Sequence, residues 1–462
     1  MLTRLFYYTT ASLLFFSCNS GAEEEAIPNQ TVTWNEHVAP IIFKHCSNCH
    51  RPGEAGPFDL LDYEDAVARG RQIRFVTKTR FMPPWPADPS YTHFANENFL
   101  SDKQIALINA WVEQGMARGD STKQPEPPVF YEGSFFGEPD LVIRCPEPVY
   151  IQGDGADRFL IMKFPYELPF DTVADVIEFV PHRRKLIHHV NGHLLGYDEG
   201  RSFSYFGGKA VSEDTRTKVL EVYRQMQIPY TDNKEPAYPA ISPNAVYYLP
   251  GYVPPVYPPE IGGLRLRKNG LFLLNNVHFG PSNADITDSS HINVFFRKEK
   301  VQRPLKETQL GTFGISAIEP ELVIPANTIK TFHTYKKFQS PISILSVNPH
   351  MHLLGQKFLA YAVNPHGDTI PLIRINKWNF RWQYYYTFKK PVKIEAGSTI
   401  HVYGTFDNTG KNPDNPFYPP RTITQGDGIE SMKTSEEMFQ FIFTYLPYRE
   451  GDEGIDLERR IK

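Results

Sequence analysis

The stretch WNFRWQYYYTF, residues 378–388, decides between a helical and a β-rich reading of most of this chain. Trp378, Phe380, Trp382, Tyr384, Tyr386 and Phe388 fall on alternate positions, with mostly polar residues between them. Side chains leave a strand on opposite faces in turn, so this pattern predicts a strand with one aromatic face. Leu271–Val277 and Phe439–Leu446 read as buried strands, and Gly-Pro, Asn-Pro and Gly-Asp turns separate such runs. The 40 prolines and 25 tyrosines point the same way, because proline removes an amide donor and aromatics favour strands. About 330 residues of this kind exceed a single sandwich, so two are expected, at 135–305 and 306–462. The formal charge of −4 over 462 residues offers no basic excess to meet nucleic acid.

Working towards the start of the chain, the character changes. Residues 32–122 read as helical, with Ser101 and Gln104 forming a capping box ahead of the apolar face of Ile105, Ile108, Trp111 and Val112. A polar, proline-rich linker follows, DSTKQPEPP at 120–128, and we place the linker at 123–134. The first residues, MLTRLFYYTTASLLFFSC, hold Arg4 and then an apolar run from Leu5 to Phe16 that is too short to span a bilayer. Ser17-Cys18 resembles a bacterial lipoprotein cleavage box, with Phe15 where leucine is usual; a plain secretory signal is the alternative. On the lipoprotein reading 1–18 is the signal, Cys18 carries the lipid, and 19–31 is a solvated tether. The expected location is the bacterial cell envelope, lipid-anchored on the periplasmic or the cell-surface side of the outer membrane.

Within the helical part stands FKHCSNCHRPGEAGPF, residues 43–58. Cys46, Cys49 and His50 form C-x-x-C-H, the pattern in which two thiols add to the vinyl groups of haem and the histidine ligates its iron. C-x-x-C also serves zinc and redox pairs, but zinc would need two further ligands and no second cysteine pair exists. Met82, ahead of two prolines in TRFMPPWPADP, is the candidate sixth ligand; taken alone, a methionine there is more simply core. The Met82 loop and the helix capped by Ser101 resemble the methionine loop and last helix of small class I cytochromes c.

Histidines gather in KLIHHVNGHLLGYD (185–198), LFLLNNVHFGPSN (271–283) and SVNPHMHLLG (346–355). His350 and His352 lie two apart on a strand, so both imidazoles leave one face and can converge on one ion. His188 and His189 are adjacent and would point oppositely on a regular strand, so joint ligation needs a local bend or different ring nitrogens. Each of these histidines alone is as well read as an ordinary hydrogen-bonding residue. His193 could be an outer-sphere residue, a swapped ligand or a surface residue.

The succession HH, VHFG, HMH and then TSEEMFQFIFTY (434–445) resembles the copper type II, ascorbate-dependent monooxygenases of the peptidylglycine α-hydroxylating and dopamine β-monooxygenase kind. The resemblance covers most of 135–450. It implies a multidomain fold: a small all-α cytochrome c domain followed by two all-β jelly-roll-like sandwiches, each of the two holding one copper ion. It assigns an electron-donating copper to His188, His189 and His278, and a dioxygen-binding copper to His350, His352 and Met438. Met438 alone would be read as core. Imidazole serves both copper oxidation states and a thioether favours the reduced one. The implied reaction is hydroxylation of a C–H bond of a small organic substrate by O₂, with one oxygen atom leaving as water and two electrons consumed.

The chain departs from that pattern in two ways. Animal members cross-link their sandwiches, whereas here Cys145 is the only cysteine in the region. The substrate-carboxylate contacts of peptide-amidating members correspond to Asn348, Gln440 and Ile442, which argues against a glycine-extended peptide as substrate. The fused C-x-x-C-H unit suggests that electrons from a respiratory or ascorbate-like donor pass through the haem iron to the copper of His188, His189 and His278. Two other classes compete: an electron-transfer or copper-binding lipoprotein without monooxygenase activity, and a carbohydrate-binding sandwich using the aromatic face at 378–388.

Overall fold

Alternating and continuous apolar runs pair into antiparallel sheets, which stack in twos to hide their apolar faces. A computed structural model describes residues 31–130, 133–196, 206–213, 219–228, 240–299, 303–425 and 435–458. Cys18, the signal segment and all of the tether but its last residue lie outside the described residues.

The first sandwich has a five-stranded sheet in the order Val211–Glu213, Arg158–Glu167, Asn269–Phe279, Ile187–Gly196, Ala240–Tyr248. Its partner sheet runs Leu141–Arg144, His291–Phe296, Thr172–Val180, Leu264–Leu266. Between them lies a core that includes Phe164, Phe179, Val190, Phe272, Phe279 and Ile292. The second sandwich opposes the sheet Lys306–Gly311, Phe439–Pro447, Ile342–Met351, Tyr386–Ile394 to five strands, Ile318–Glu319, Ile329–Lys337, Thr399–Asp407, Gly355–Val363 and Thr369–Ile375. Its core is built on Phe332, Phe358, Phe406, Phe439, Phe441 and Phe443. The two sandwiches meet at Tyr247, Leu249 and Tyr385, and again at Tyr257, Ile261, Leu345, Leu446 and Leu457.

The N-terminal part holds a π-helical turn Trp34–Val38 and helices α1 (Ala39–His45), α2 (Tyr63–Lys78) and α3 (Asp102–Glu113). The Ser101 Oγ accepts the Gln104 amide while the Gln104 side chain accepts the Ser101 amide, so the capping box forms as the sequence predicts. Trp34, Ile42, Ile73, Ile108 and Trp111 make a separate core. A segment between α2 and α3, residues 87–96, leaves these helices. Ala87 and Phe94 bridge to Ile375 and Phe388 and are buried in the core of the second sandwich. Asp88 Oδ2 accepts from Arg374 Nε at 2.9 Å and Asn376 Nδ2 at 2.7 Å, and Asn96 Nδ2 donates to the Tyr385 carbonyl at 2.8 Å. This strap fastens the helical unit to the second sandwich.

One expectation fails. Only Tyr386–Phe388 of the 378–388 stretch enter a strand; Trp378–Tyr385 form a loop. The reason lies in where the rings go. Trp378 packs near Phe358 in the second sandwich, Tyr384 near Trp85 of the strap, and Tyr385 near Tyr247 of the first sandwich, at centroid separations of 6.4, 5.7 and 5.0 Å. Trp378, Phe380 and Tyr384 would share one face of a strand, yet Trp378 and Tyr384 pack on the core of the second sandwich while Phe380 meets His189 of the first, so the chain turns.

Candidate metal centres

His188 and His189 open the strand Ile187–Gly196, and His278 stands near the end of its neighbour Asn269–Phe279. The register passes from Ile187 opposite Phe279 to His189 opposite His278, so His188 is the extra residue of a β-bulge. That bulge removes the obstacle to adjacent histidines, since an unpaired residue need not obey the strict alternation. The His278 ring lies 4.7 Å from that of His188 and 5.2 Å from that of His189. Gly280 makes room: a Cβ there would come within 2.5 Å of His188 Nε2. Asp157 completes the cluster. Its Oδ1 is 2.7 Å from His278 Nε2, and ligand atoms of Asp157, His188 and His278 lie within 4.8 Å of one another. His189 stands outside that tightest group and is buried, and burial first, then the rings of His278, His350, His188 and His352, hold it well below the ordinary imidazole range.

The second cluster sits on the sheet of the other sandwich. His350 and His352 are 5.1 Å apart by ring centroids. The Nδ1 of His350 is paired with Gln383 Oε1, and the Nδ1 of His352 lies 2.8 Å from the Glu436 carbonyl. An imidazole that donates through Nδ1 to an oxygen presents Nε2 as its lone-pair nitrogen, the tautomer that metal-ligating histidines adopt. Burial pushes the His350 pKa down to about 3, which keeps it neutral. Glu437 accepts the amides of His352 at 2.9 Å and Leu354 at 2.7 Å and fixes the end of the H-x-H strand. Met438 is buried and directly precedes Phe439, which pairs with Met351 between the two histidines.

These two clusters are neighbours. The Phe380 ring is edge-on to His189 at 6.2 Å and to His352 at 5.7 Å. His193 is not part of either. Four residues along a strand from His189 is about 13 Å, out of coordination reach. It is half-buried opposite Leu273, desolvation of its ring pushes its pKa down to about 4, and its buried Nδ1 has no hydrogen-bond partner among the described residues.

The C-x-x-C-H turn closes the C-terminus of α1, where the amides of Cys49 and His50 both donate to the Cys46 carbonyl. Both thiols are free, and burial pushes each up to about 12. His50 Nδ1 lies 3.0 Å from the Phe58 carbonyl, which again leaves Nε2 as the lone-pair nitrogen. A Cβ on Gly56 would come within 2.9 Å of His50 Nδ1, and one on Gly251 would come within 2.7 Å of Cys49 Sγ. Met82 lies beyond α2, half-buried, its amide bonded to the Val76 carbonyl. Among the described residues no hydrogen bond or ring contact ties it to His50.

Sequence reading missed Asp157, Phe380, Gln383 and Glu437. Glu437 precedes Met438 directly, so a buried carboxylate beside the methionine could have been noticed. Asp157, in GDGADRF, gives no signal, and Phe380 was absorbed into the aromatic pattern.

Residues 310–416 match the family described as copper type II ascorbate-dependent monooxygenase, C-terminal domain. The match contains His350 and His352 and stops short of Met438. The family matched over these residues is one of copper-dependent monooxygenases. No curated protein matches the chain. Among solved structures, one of PNGF-II is 11% identical, with 69% of this chain and 65% of that one covered and a TM-score of 0.19. One of infectious bursal disease virus, Gt strain, is 12% identical, with 70% and 85% covered and a TM-score of 0.15. The chain thus spans about 65% of the first of these, and overlaps this weak carry no argument about fold or function.

Proposed function

We propose that the two histidine clusters are the copper sites of a monooxygenase that hydroxylates a C–H bond of a small organic substrate, His188, His189 and His278 holding one ion and His350, His352 and Met438 the other. The observation that carries this reading is the pair of committed Nδ1 atoms on His350 and His352, within the segment that matches the monooxygenase family. Bound copper supplies one-electron redox change and the activation of O₂. The chain's own residues supply the rest. Gln383 and the Glu436 carbonyl orient the two rings, Glu437 fixes the strand end, and burial keeps His350 uncharged. Asp157 is a further oxygen donor beside His278.

We further propose that Cys46 and Cys49 attach haem, that His50 is its axial ligand with Met82 as candidate partner, and that this unit relays electrons to the copper sites. Two free thiols, the Phe58 carbonyl on His50 Nδ1 and the glycines at 56 and 251 support that reading. The anchor at Cys18, a bacterial cell-envelope location and an electron donor of respiratory or ascorbate-like kind complete it. Among the described residues no helix is long and apolar enough to cross a membrane.

Metal analysis is the direct test. Protein made with haem-maturation machinery and reconstituted with copper should carry two coppers and one iron. Met438→Ala should abolish O₂-dependent turnover while leaving the haem spectrum unchanged. Iron without tightly held copper would favour the electron-carrier alternative.

A further inference from the structure

We propose that the Phe380–Gln383 turn is a spacer that sets the separation of the two metal centres, with Phe380 standing between their histidines and Gln383 locking the turn to His350. This rests on the reading of the two clusters as copper sites. Phe380 is the residue whose ring meets a histidine of each cluster, His189 on one side and His352 on the other. A phenyl ring offers a metal no ligand, so a side chain at this place cannot bridge the two sites.

The turn is not free to drift. The Trp382 amide donates to the Asn379 carbonyl at 3.0 Å and the Arg381 amide to Asn379 Oδ1 at 3.0 Å. Gln383 is 9% exposed and spends both ends of its amide. Its Nε2 donates to the Phe380 carbonyl at 2.8 Å and its Oε1 is paired with His350 Nδ1. The Gln383 carbonyl in turn accepts from Asn348 Nδ2 at 3.2 Å and from the Tyr247 hydroxyl of the first sandwich. One turn is therefore held from both sandwiches and holds a ligand of the second site. Phe380 and Gln383 are positioning residues. Their consequence is that each metal keeps its own ligand set and works as a separate one-electron centre.

The test is frozen-solution electron paramagnetic resonance of the full chain loaded with Cu(II), with copper counted per chain. The unaltered protein should bind two coppers and show the full spin count of two uncoupled ions. Phe380→Ala should still bind two, yet its integrated signal should fall about two-fold or more, or broaden by dipolar coupling, because positions within a site matter at about the half-ångström scale. Phe380→Leu, which keeps an apolar side chain of similar bulk, should restore the unaltered spectrum. Gln383→Leu should broaden the spectrum as Phe380→Ala does and also alter the nitrogen couplings of the His350 site. Spectra of Phe380→Ala and Gln383→Leu that superimpose on the unaltered one would overturn the spacer and leave the copper sites standing. Loss of a copper from Phe380→Ala would also overturn it, since the ring would then be scaffolding for a ligand. An unaltered chain that binds no copper removes the functional reading, and the spacer falls with it.

Discussion

Gly280 shows how much of a metal centre is decided by an atom that is missing. A methyl group there would occupy the space of the His188 ring, with 2.5 Å to Nε2 and 2.7 Å to Cε1. Gly280→Ala should therefore weaken copper binding at the His188 cluster by about 10–100-fold, the range seen when a metal ligand loses its orientation. Calorimetric titration should show one of two copper sites weakened and the other unchanged. The H-x-H pair was legible beforehand because a period of two needs no partner strand to interpret. The adjacent pair at 188–189 was not, because a bulge is a relation between two strands, and no residue of LIHHV announces which one goes unpaired. Asp157 was illegible for a similar reason: it comes to His278 by pairing of its neighbourhood with a strand made more than a hundred positions later.

At the scale of elements, continuous apolar runs were the reliable signal. Leu271–Val277 and Phe439–Leu446 lie within strands because their destination is a single core between two sheets. The 378–388 pattern misled because rings that alternate in sequence have separate destinations, Trp378 and Tyr384 on the core of the second sandwich and Phe380 against His189 and His352. The strap misled in the opposite sense, since WPADPSYTHFANE at 85–97 reads as a loop of the helical unit yet supplies Phe94 to a β-core. Phe94 is 1% exposed and packs against Tyr386 and Phe388 at 5.1 and 5.2 Å. Phe94→Ala should cost about 3–5 kcal/mol. Hydrogen exchange should locate the loss in the strand Tyr386–Ile394 rather than in α2 or α3. Protection lost in the helices alone would show that the strap is not part of the sandwich.

Across the whole molecule, a buried ion pair joins the connection between the sandwiches to the segment beyond the last strand. Arg303 Nη1 and Nη2 meet Asp452 Oδ1 and Oδ2 at 2.6 and 2.8 Å, and the Ser343 hydroxyl and Arg449 amide also donate to Oδ2. These donors, chiefly Arg303 and Ser343, outweigh the burial that opposes them and hold the Asp452 carboxyl at about 2. A carboxyl depressed in the folded state contributes stability above its unfolded pKa, near 4, and loses it as pH falls towards 2. Asp452→Asn should destabilise the protein by about 3–5 kcal/mol at neutral pH, since it strands a buried guanidinium. The gap between urea midpoints of the variant and the parent should narrow progressively below about pH 4 and close only as pH falls through about 2; a constant gap would show that the pair does not titrate as described. The strand order of the second sandwich has one more result. Phe439–Pro447 lies inside its sheet, between Lys306–Gly311 and Ile342–Met351, and the segment leading into it brings the Glu436 carbonyl to His352. His350 is oriented by Gln383, but the orientation of His352 waits on a carbonyl 84 residues further along the chain, so the second ring of the pair is set only once the last strand has joined its sheet.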